Sequence, residues 1–341
     1  MEEKIVPLFV IRNKKVQAIY ESSKNWYDLN SIQKIPMEGR GMSLSKLFSI
    51  LIILITVVIS CAAQKEIQMP TKVEPPLPQP AKIAVVLGAG SSKGFAHIGV
   101  LKILESNKIP IHMIVGTSVG SVVGSFYAYG YDAFQLQKLS FSIEKGDIVD
   151  LTIPDNGFIK GEKLEEFVNK TVKNTPIEKL KIPFYAVATD IQGGQEMVFG
   201  RGNTGMAVRA SCSIPGVFRP VKIGERMYVD GGVVSPVAVE VAKKFGADIV
   251  IAVDISAAAD RTLPENTVDT ILQSLNIMYS KLASIQLSKA DVVIKPKVGH
   301  IGSADFSKRH EAILEGEKAA LEALPQVMKI VTQLRQEGRL E

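Results

Sequence analysis

A serine flanked by glycines at two-residue spacing is the first feature of the sequence that could carry chemistry. Residues 116–120 read Gly-Thr-Ser-Val-Gly, with Ser118 at the centre, and they follow the apolar run 111–115. A strand, such a serine and then a helix form the nucleophile elbow of serine hydrolases. Gly116 and Gly120 leave room for the sharp turn, and the helix directs its positive end at the hydroxyl. The motif predicts a nucleophilic serine, with small-residue packing between a strand and a helix as the alternative.

A glycine-rich loop follows the first predicted strand. Residues 88–94 read Gly-Ala-Gly-Ser-Ser-Lys-Gly, and an apolar helix pattern begins directly after them. Such a loop turns consecutive backbone N–H groups toward an anion. A dinucleotide fingerprint needs two residues before its last glycine, but three separate Gly90 from Gly94, and a Walker loop needs Ser or Thr after the lysine, where Lys93 is followed by glycine. The loop therefore fits an oxyanion hole beside the candidate serine, with phosphate binding as the alternative.

A nucleophilic serine needs a base, and the strongest candidate is Asp230. It follows a short apolar strand, and Gly231 and Gly232 after it clear space beside the carboxylate. A tight turn is the alternative explanation of Asp-Gly-Gly. Because the usual triad runs from serine to acid to histidine, His300 is the alternative third member of a Ser118-based triad.

The candidate residues must be positioned by a regular framework. Apolar runs predict strands at 83–87, 111–115, 184–189, 249–254 and 292–295. Helical patterns lie between them at 95–106, 118–130, 162–173, 205–211, 235–245, 264–289 and 307–335. Strands that are apolar throughout suit a parallel sheet covered on both faces. We therefore predict a three-layer α/β/α fold with a central, mostly parallel sheet, and a site at the carboxyl ends of its strands.

Residues 42–60 have the pattern of a secretory signal. They contain one lysine, a short apolar run and a serine before Cys61. The run suits the apolar region of a signal peptide and is short for a membrane span. Residues 58–61 (Val-Ile-Ser-Cys) resemble the lipobox of bacterial lipoproteins, which implies cleavage before Cys61 and lipid attachment to its thiol. An uncleaved N-terminal anchor is the alternative, and either one tethers the protein to a membrane.

The remaining regions define the predicted domain organisation. Residues 1–41 read as an extension from an upstream mis-start. Residues 61–80 hold the lipidated cysteine and five of the 17 prolines, which indicates a stiff spacer. Residues 81–341 have the length of one domain with a substantial core.

Charge and cysteine content exclude several function classes. The chain carries a net charge of +5, but residues 1–60 hold eight of its 40 Lys and Arg and five of its 35 Asp and Glu, which leaves +2 for the rest. No basic block remains that would predict nucleic-acid binding. Besides Cys61 the chain has only Cys212, so we predict no disulfide framework, no metal cluster and no cofactor. Nothing in the sequence indicates an oligomeric state.

Four separated motifs together resemble the patatin-like phospholipase family in its bacterial branch. They are the loop 88–94, the elbow 116–120, the segment 209–221 and the Asp-Gly-Gly at 230–232. The resemblance covers about residues 81–255 closely and the C-terminal helix more loosely. It implies the patatin-like fold and the hydrolysis of lipid acyl esters.

The resemblance also implies the roles of individual residues. Ser118 is the expected nucleophile and Asp230 its general base, in a dyad without histidine. The N–H groups of Ala89, Gly90 and Ser91 are the expected oxyanion hole. The remaining motif residues have supporting roles. The loop is supported by Gly88, Lys93 and Gly94, the elbow by Gly116 and Gly120, and the base by Gly231 and Gly232. Where the family more often has Gly-Gly-Gly-x-Arg-Gly, residues 89–94 read Ala-Gly-Ser-Ser-Lys-Gly, and lysine lacks the bidentate geometry of arginine.

These features predict a membrane-tethered lipid acyl hydrolase acting on phospholipids or lysophospholipids. In a bacterium with two membranes we expect the outer membrane, facing the periplasm, because Ala62 stands where inner-membrane retention would place an aspartate. A carboxylate with an ordinary pKa of about 4 is a weak acceptor for a serine proton, so we expect a site closed from water that raises the pKa of Asp230. Segments 134–158 and 257–275 are candidates for a lid. A lipid-binding lipoprotein of the same fold without turnover and a nucleotide-binding α/β protein are the alternative functions.

Overall fold

The computed structural model describes residues 43–62, 78–153, 156–256 and 264–341. The chain divides into two compact units, Met1–Pro75 and Pro76–Glu341. The predicted extension 1–41 and most of the proline-rich spacer lie outside the described residues.

The first unit contributes helix α1 (Leu44–Ala62), which covers the predicted signal peptide. The side chains described in this helix are exposed apolar groups for most of its length. The side chain of Cys61 is outside the described part, so its lipidation stays a prediction. Among the residues that the structure describes, no helix has both the length and the hydropathy of a membrane span.

The second unit contains a sheet and nine helices among its described residues. Its strands are β1 (Ile83–Leu87), β2 (Met113–Thr117), β3 (Phe184–Asp190), β4 (Gln195–Phe199), β5 (Val221–Ile223), β6 (Arg226–Asp230), β7 (Ile249–Val253) and β8 (Val292–Ile294). Its helices are α2 (Phe95–Ser106), α3 (Val119–Tyr129), α4 (Ala133–Ser142), α5 (Lys145–Ile148), α6 (Glu162–Thr171), α7 (Thr204–Ser211), α8 (Val239–Lys244), α9 (Thr267–Leu287) and α10 (Arg309–Gln336). Short 3-10 turns lie at Ser91–Gly94, Ile177–Lys179 and Gly231–Val233.

The sheet has the order β5-β6-β3-β2-β1-β7-β8, with β4 on β3. The five central strands, from β3 to β8, run parallel, and β4, β5 and β6 join antiparallel. This arrangement confirms the predicted α/β fold with a central, mostly parallel sheet. All five predicted strands are present, and β2 extends two residues beyond its predicted end, to Thr117.

Both faces of the sheet are covered, as three layers require. Ile83, Val85 and Leu87 of β1 pack in the core that includes α2, α3 and α10. Ala84 and Val86 pack on the opposite face, in the core that includes α8 and α9. Because alternate residues of a strand point to opposite faces, a strand buried on both must be apolar throughout.

The structure adds elements that the sequence pattern did not separate. Strands β4, β5 and β6 form short antiparallel pairs beside β3, with polar and exposed residues that weaken an apolar signal. Helices α4 and α5 occupy most of the segment 134–158. Helix α8 begins at Val239 and not at residue 235, because Pro236 has no N–H to donate and disfavours helical backbone in the residue before it.

The register of β3 determines which residues meet at the site. Along β3, Val187 pairs with Thr117 of β2, and the next residue, Ala188, pairs with Asp230 of β6. Strand β4 pairs with these same positions of β3, so β2 and β6 must share the other edge. Strands β2 and β6 therefore meet end to end along β3, which brings Asp230, the last residue of β6, next to the residue after Thr117.

Candidate active site

Ser118 lies in the turn between β2 and α3. Its backbone has φ 54° and ψ −128°, a combination that residues other than glycine rarely adopt. A Cβ atom at Gly116 would lie 2.5 Å from the carbonyl oxygen of Gly120, and a Cβ atom at Gly120 would overlap the carbonyl of Leu87. The two glycines thus allow the tight turn predicted from the sequence. The Ser118 hydroxyl stands at the N-terminal end of α3, the positive end of the helix dipole.

Asp230 contacts the serine directly. The Oγ atom of Ser118 donates a hydrogen bond to Oδ2 of Asp230 at 2.5 Å. The second carboxylate oxygen, Oδ1, accepts the N–H of Gly232 at 2.7 Å, and the N–H of Asp230 itself donates to the carbonyl of Ser213. The structure thus brings together the two side chains that the sequence pairs, although they are 112 positions apart.

The carboxylate is withdrawn from solvent. Asp230 is 0% exposed and Ser118 is 4% exposed. Burial raises the pKa of Asp230 from 3.8 to about 6, against the hydrogen bonds from Ser118 and Gly232 and the nearby hydroxyl of Tyr279, which lower it. Burial favours the neutral acid because the protein interior solvates a charge poorly. The expected rise in the pKa of this carboxylate is therefore confirmed, and the carboxylate is a stronger proton acceptor than one in water.

The glycine-rich loop lies at the end of β1 beside the elbow. The N–H of Ala89 donates to the carbonyl of Pro236 at 2.9 Å, which removes Ala89 from the expected oxyanion hole. The N–H groups of Gly90 and Ser91 have no acceptor in the part of the chain that the structure describes. Ser91 and Ser118 line the same cavity. Two of the three expected donors therefore remain free to stabilise an oxyanion.

The other loop residues have packing roles. Gly88 lies where a Cβ atom would be 2.9 Å from the carbonyl of Val253, and a Cβ atom at Gly94 would overlap Val119 of α3. Lys93 is 2% exposed, so its ammonium group is not presented to solvent for an incoming phosphate. This burial argues against the nucleotide-binding alternative.

Ser211 is a site residue whose role the sequence did not indicate. Its hydroxyl accepts the N–H of Ser118 at 2.9 Å and donates to the carbonyl of Val187 at 2.6 Å. It therefore ties the elbow to β3. The only signal in the sequence was its place in the motif 209–221, because a serine at the end of a helix has no visible partner until the chain is folded.

Removing the Ser211 hydroxyl should loosen the elbow. Ser211→Ala removes the hydrogen bonds that the hydroxyl makes to two buried backbone groups, the N–H of Ser118 and the carbonyl of Val187. We expect the free energy of unfolding to fall by about 2–3 kcal/mol and the reaction at Ser118 to slow by at least about tenfold. Urea unfolding and the rate of phosphonate labelling measure the two effects.

Ser213→Ala is the matched control for this prediction. Ser213 is also buried, but its hydroxyl donates only to the carbonyl of Arg209, one turn earlier. Equal losses in stability and labelling rate for the two variants would contradict the role given to Ser211.

A cavity of about 290 Å³ opens beside Ser118. Apart from Ser118, its walls are mostly hydrocarbon, from α3, α4, the segment that follows α4 and the start of α9. Residues that contribute are Val122, Phe126, Leu136, Leu139, Ile148, Ile214, Phe218, Val268 and Leu272. Both segments predicted as candidates for a lid, 134–158 and 257–275, supply part of this wall. An apolar cavity with few polar groups fits an alkyl chain.

The alternative triad does not form. Nε2 of His300 lies 2.6 Å from Oε1 of Glu311, and the His300 side chain is 52% exposed. No described contact of Ser118 or Asp230 involves a histidine. No group of three or more His, Cys, Asp or Glu residues within the described ranges could hold a metal ion.

The central sheet is mostly parallel, and a serine–carboxylate pair lies at the carboxyl ends of its strands. This arrangement is that of a serine hydrolase site. Residues 85–243, which include Ser118 and Asp230, match the family model of the patatin-like phospholipases. This region, a little under half of the chain, is therefore similar to the patatin-like phospholipases.

Similar proteins cover this region and differ in length. An uncharacterized NTE family protein of Mycobacterium tuberculosis is 36% identical over 179 residues, which are 52% of this chain and 50% of that protein. Lysophospholipase NTE1 of Pyricularia oryzae is 28% identical over 291 residues, which are 76% of this chain and 19% of that protein. The chain thus spans half the length, or less, of these curated relatives. Among solved structures, VipD from Legionella pneumophila aligns with a TM-score of 0.42 and 13% identity, over 73% of this chain and 67% of that one.

Proposed function

We propose that this protein hydrolyses acyl esters of lipids through a covalent intermediate on Ser118. The observation that carries the proposal is the hydrogen bond from Ser118 to a fully buried carboxylate, at a strained turn that opens on an apolar cavity. The match of residues 85–243 to the patatin-like phospholipase family model supports this chemistry. The name lysophospholipase, which one of the relatives carries, supports a lysophospholipid or phospholipid substrate.

In the first half-reaction, Oγ of Ser118 attacks the ester carbonyl carbon while Asp230 accepts its proton. The carbonyl oxygen becomes an oxyanion, which the N–H groups of Gly90 and Ser91 stabilise. The intermediate then collapses, the bond to the alcohol breaks, and Asp230 returns the proton to the departing oxygen. The products are a free alcohol and an acyl group on Ser118.

In the second half-reaction, water takes the place of the alcohol. Asp230 accepts a proton from the water as its oxygen attacks the acyl carbon, and the same two N–H groups stabilise the new oxyanion. The bond to Oγ breaks, the proton passes from Asp230 to Ser118, and the fatty acid leaves. No proton or electron is gained or lost over the cycle.

The test combines covalent labelling with turnover. A fluorophosphonate should add to the wild-type protein and not to Ser118→Ala, and only the wild type should hydrolyse a long-chain lysophospholipid. Ser125→Ala is the matched control, because Ser125 is a buried serine on α3 whose hydroxyl bonds only to the carbonyl of Val122. Labelling of Ser118→Ala, or turnover by it, would contradict the proposal. Lipid binding without any turnover by the wild type would favour the non-catalytic alternative.

The cavity predicts the chain-length preference. Leu139 of α4 lines the cavity wall, and Leu139→Trp fills part of the space beyond Ser118. We expect kcat/KM for esters with long acyl chains to fall by at least about tenfold, while short-chain esters keep most of their rate, because lost apolar contact costs about 0.8 kcal/mol per methylene. A series of nitrophenyl esters measures this.

Leu321→Trp makes the same chemical change at a site without a role. Leu321 is 52% exposed on α10 and does not line the cavity. An equal loss for short and long esters in Leu139→Trp would show that the cavity does not hold the acyl chain.

We propose further that the protein is a lipoprotein tethered through Cys61 and facing the periplasm from the outer membrane. The pattern of residues 42–60 and the serine before the cysteine support this proposal. Metabolic labelling with an alkyne fatty acid should mark the wild type and Cys212→Ser, but not Cys61→Ser. Label in Cys61→Ser would contradict the tether.

A further inference from the structure

Tyr279 of α9 lies beside the candidate base and has no assigned role. It is 5% exposed, and its hydroxyl oxygen is buried without a formed hydrogen bond among the described residues. A buried phenol without a partner is unfavourable, because the hydroxyl loses its water and gains nothing in exchange. The residue is also outside the segment 85–243 that the family model matches.

Gly232 provides the space that this phenol occupies. A Cβ atom at Gly232 would overlap Cζ of Tyr279 and lie 2.9 Å from its hydroxyl oxygen. The N–H of Gly232 donates to Oδ1 of Asp230. The second glycine of the Asp-Gly-Gly motif therefore lets the end of the tyrosine lie against the residue whose N–H binds the carboxylate.

The phenol and the carboxylate act on each other. Tyr279 lowers the pKa of Asp230, against the larger effect of burial, and burial together with the Asp230 charge raises the pKa of Tyr279 well above 10. A carboxylate has about four lone-pair positions, of which Ser118 and Gly232 take one each. Asp230 can therefore accept a third hydrogen bond, and Tyr279 remains a protonated donor.

Helix α9 joins this tyrosine to both the cavity and the loop after the base. Val268 and Leu272, toward the start of α9, line the cavity. Gln286, near its end, accepts the N–H of Val237 at 3.0 Å and donates to the carbonyl of Val234 at 3.1 Å. The position of Tyr279 is thus set by contacts on both sides of it along the helix.

We propose that Tyr279 is a positioning residue, which directs its phenol hydrogen at Asp230 and so holds the carboxylate ionised and aligned on Ser118. This inference rests on the proposed function. Only a small adjustment is needed to form the hydrogen bond, because the hydroxyl already interacts with Asp230.

Among the described residues, the further titratable group that acts on this pair is Cys212, directly after α7. Its Sγ atom lies 3.8 Å from Oγ of Ser121, and burial raises the pKa of its thiol, with the Asp230 charge adding to the effect. Cys212 is therefore a neutral thiol throughout the pH range in which Asp230 titrates. Of Cys212 and Tyr279, only Tyr279 is therefore expected to change the titration of Asp230 when it is replaced.

The test is the pH dependence of phosphonate labelling in Tyr279→Phe. The wild-type rate should rise with pH through about 6, as Asp230 ionises. Without the phenol hydroxyl, we expect this midpoint to move up by about one pH unit, so the rate at a pH of about 6 falls about fivefold and the rate at a pH of about 8.5 stays within about twofold. Phenylalanine keeps the ring, so the variant should fold with a nearly unchanged Tm.

A second readout does not depend on turnover. The infrared difference between each protein and its Asp230→Asn counterpart isolates the carboxyl band of Asp230, and its titration should shift upward in Tyr279→Phe by the same amount. Tyr127→Phe is the matched control. The phenol of Tyr127 also interacts with a carboxylate, that of Glu105, and it has no described contact with Ser118 or Asp230.

The outcomes separate two failures. A lower Tm with an unmoved pH profile, or an unmoved carboxyl titration, overturns the role of Tyr279 while the proposed hydrolase stands. A wild type that takes no phosphonate on Ser118 overturns the proposed function, and the positioning role with it. A shift in Tyr279→Phe that Tyr127→Phe does not share supports the role.

Discussion

Replacing Asp230 with asparagine is expected to slow ester hydrolysis by about 10²–10⁴-fold and, at neutral pH, to make the folded protein more stable. Asparagine keeps the shape and can still contact Ser118 and Gly232, but it cannot accept the serine proton. It also removes a charge that is 0% exposed and paired with no cation in the described contacts. Activity and stability should therefore move in opposite directions.

The pH dependence of this effect has a definite sign. Burial raises the pKa of Asp230 from 3.8 to about 6 in the folded protein, so between these values the folded state holds a proton that the unfolded chain has lost. The stability from this group is full below pH 3.8 and is lost as pH rises through about 6. Asparagine is neutral throughout, so the advantage of the variant should grow to about 3 kcal/mol above a pH of about 7.

His97 has the opposite dependence, and the comparison must cancel it. Burial lowers the pKa of His97 from 6.5 to about 4, so its contribution is present above pH 6.5 and is lost as pH falls through about 4. Its Nε2 atom contacts the carbonyl of Gly88, the first residue of the glycine-rich loop. Because both proteins contain His97, its effect is absent from their difference.

Urea unfolding at pH values of about 4, 6 and 8 measures this difference. Asp248→Asn is the control, because the pKa of Asp248 is lowered. The hydrogen bond from the backbone N–H of Lys82 lowers it most, and the hydrogen bond from Arg339 adds to the effect. That variant should lose stability at neutral pH, the opposite sign. If Asp230→Asn were less stable than the wild type at a pH of about 8, the raised pKa assigned to the carboxylate would be wrong.

Replacing Ser118 with glycine should abolish activity, by at least about 10⁴-fold, and stabilise the fold relative to Ser118→Ala. Both variants lack the nucleophile, so their difference in stability measures the backbone alone. Alanine must hold φ 54° and ψ −128°, whereas glycine adopts such angles freely. We expect Ser118→Gly to exceed Ser118→Ala by about 1–3 kcal/mol.

Ser125 gives the reversed control for this prediction. It lies inside α3, where glycine is less favourable than alanine by about 1 kcal/mol. Ser125→Gly should therefore be less stable than Ser125→Ala. The same sign at both positions would mean that the elbow carries no backbone strain.

The two predictions share a physical origin. A carboxylate without water and a serine with a positive φ are each unfavourable in the folded state, and each is what the proposed chemistry requires. Their cost of about 1–3 kcal/mol apiece is offset by the burial of a sheet whose strands β1 and β2 are buried throughout. Stability and function therefore trade against each other at this site.

The sequence by itself determined the local features of this protein. Apolar runs identified the five parallel strands, because a strand buried on both faces, as β1 and β2 are, has no polar alternation. The spacing of Gly116 and Gly120 around Ser118 identified the elbow, because only a residue without a side chain fits where backbone atoms approach so closely. These are properties of a few consecutive residues, and they are visible without a fold.

Only the tertiary structure decided how distant segments combine. Three findings each join segments far apart in the chain. They are the register that sets Asp230 beside the end of β2, the hydrogen bond that the Ala89 N–H gives to Pro236, and the contacts of Ser211 and Tyr279. A side chain in a helix, such as Tyr279, looks like any other core residue until its neighbours are known. Partnership and burial are properties of the packed chain, and the pKa of Asp230 follows from both.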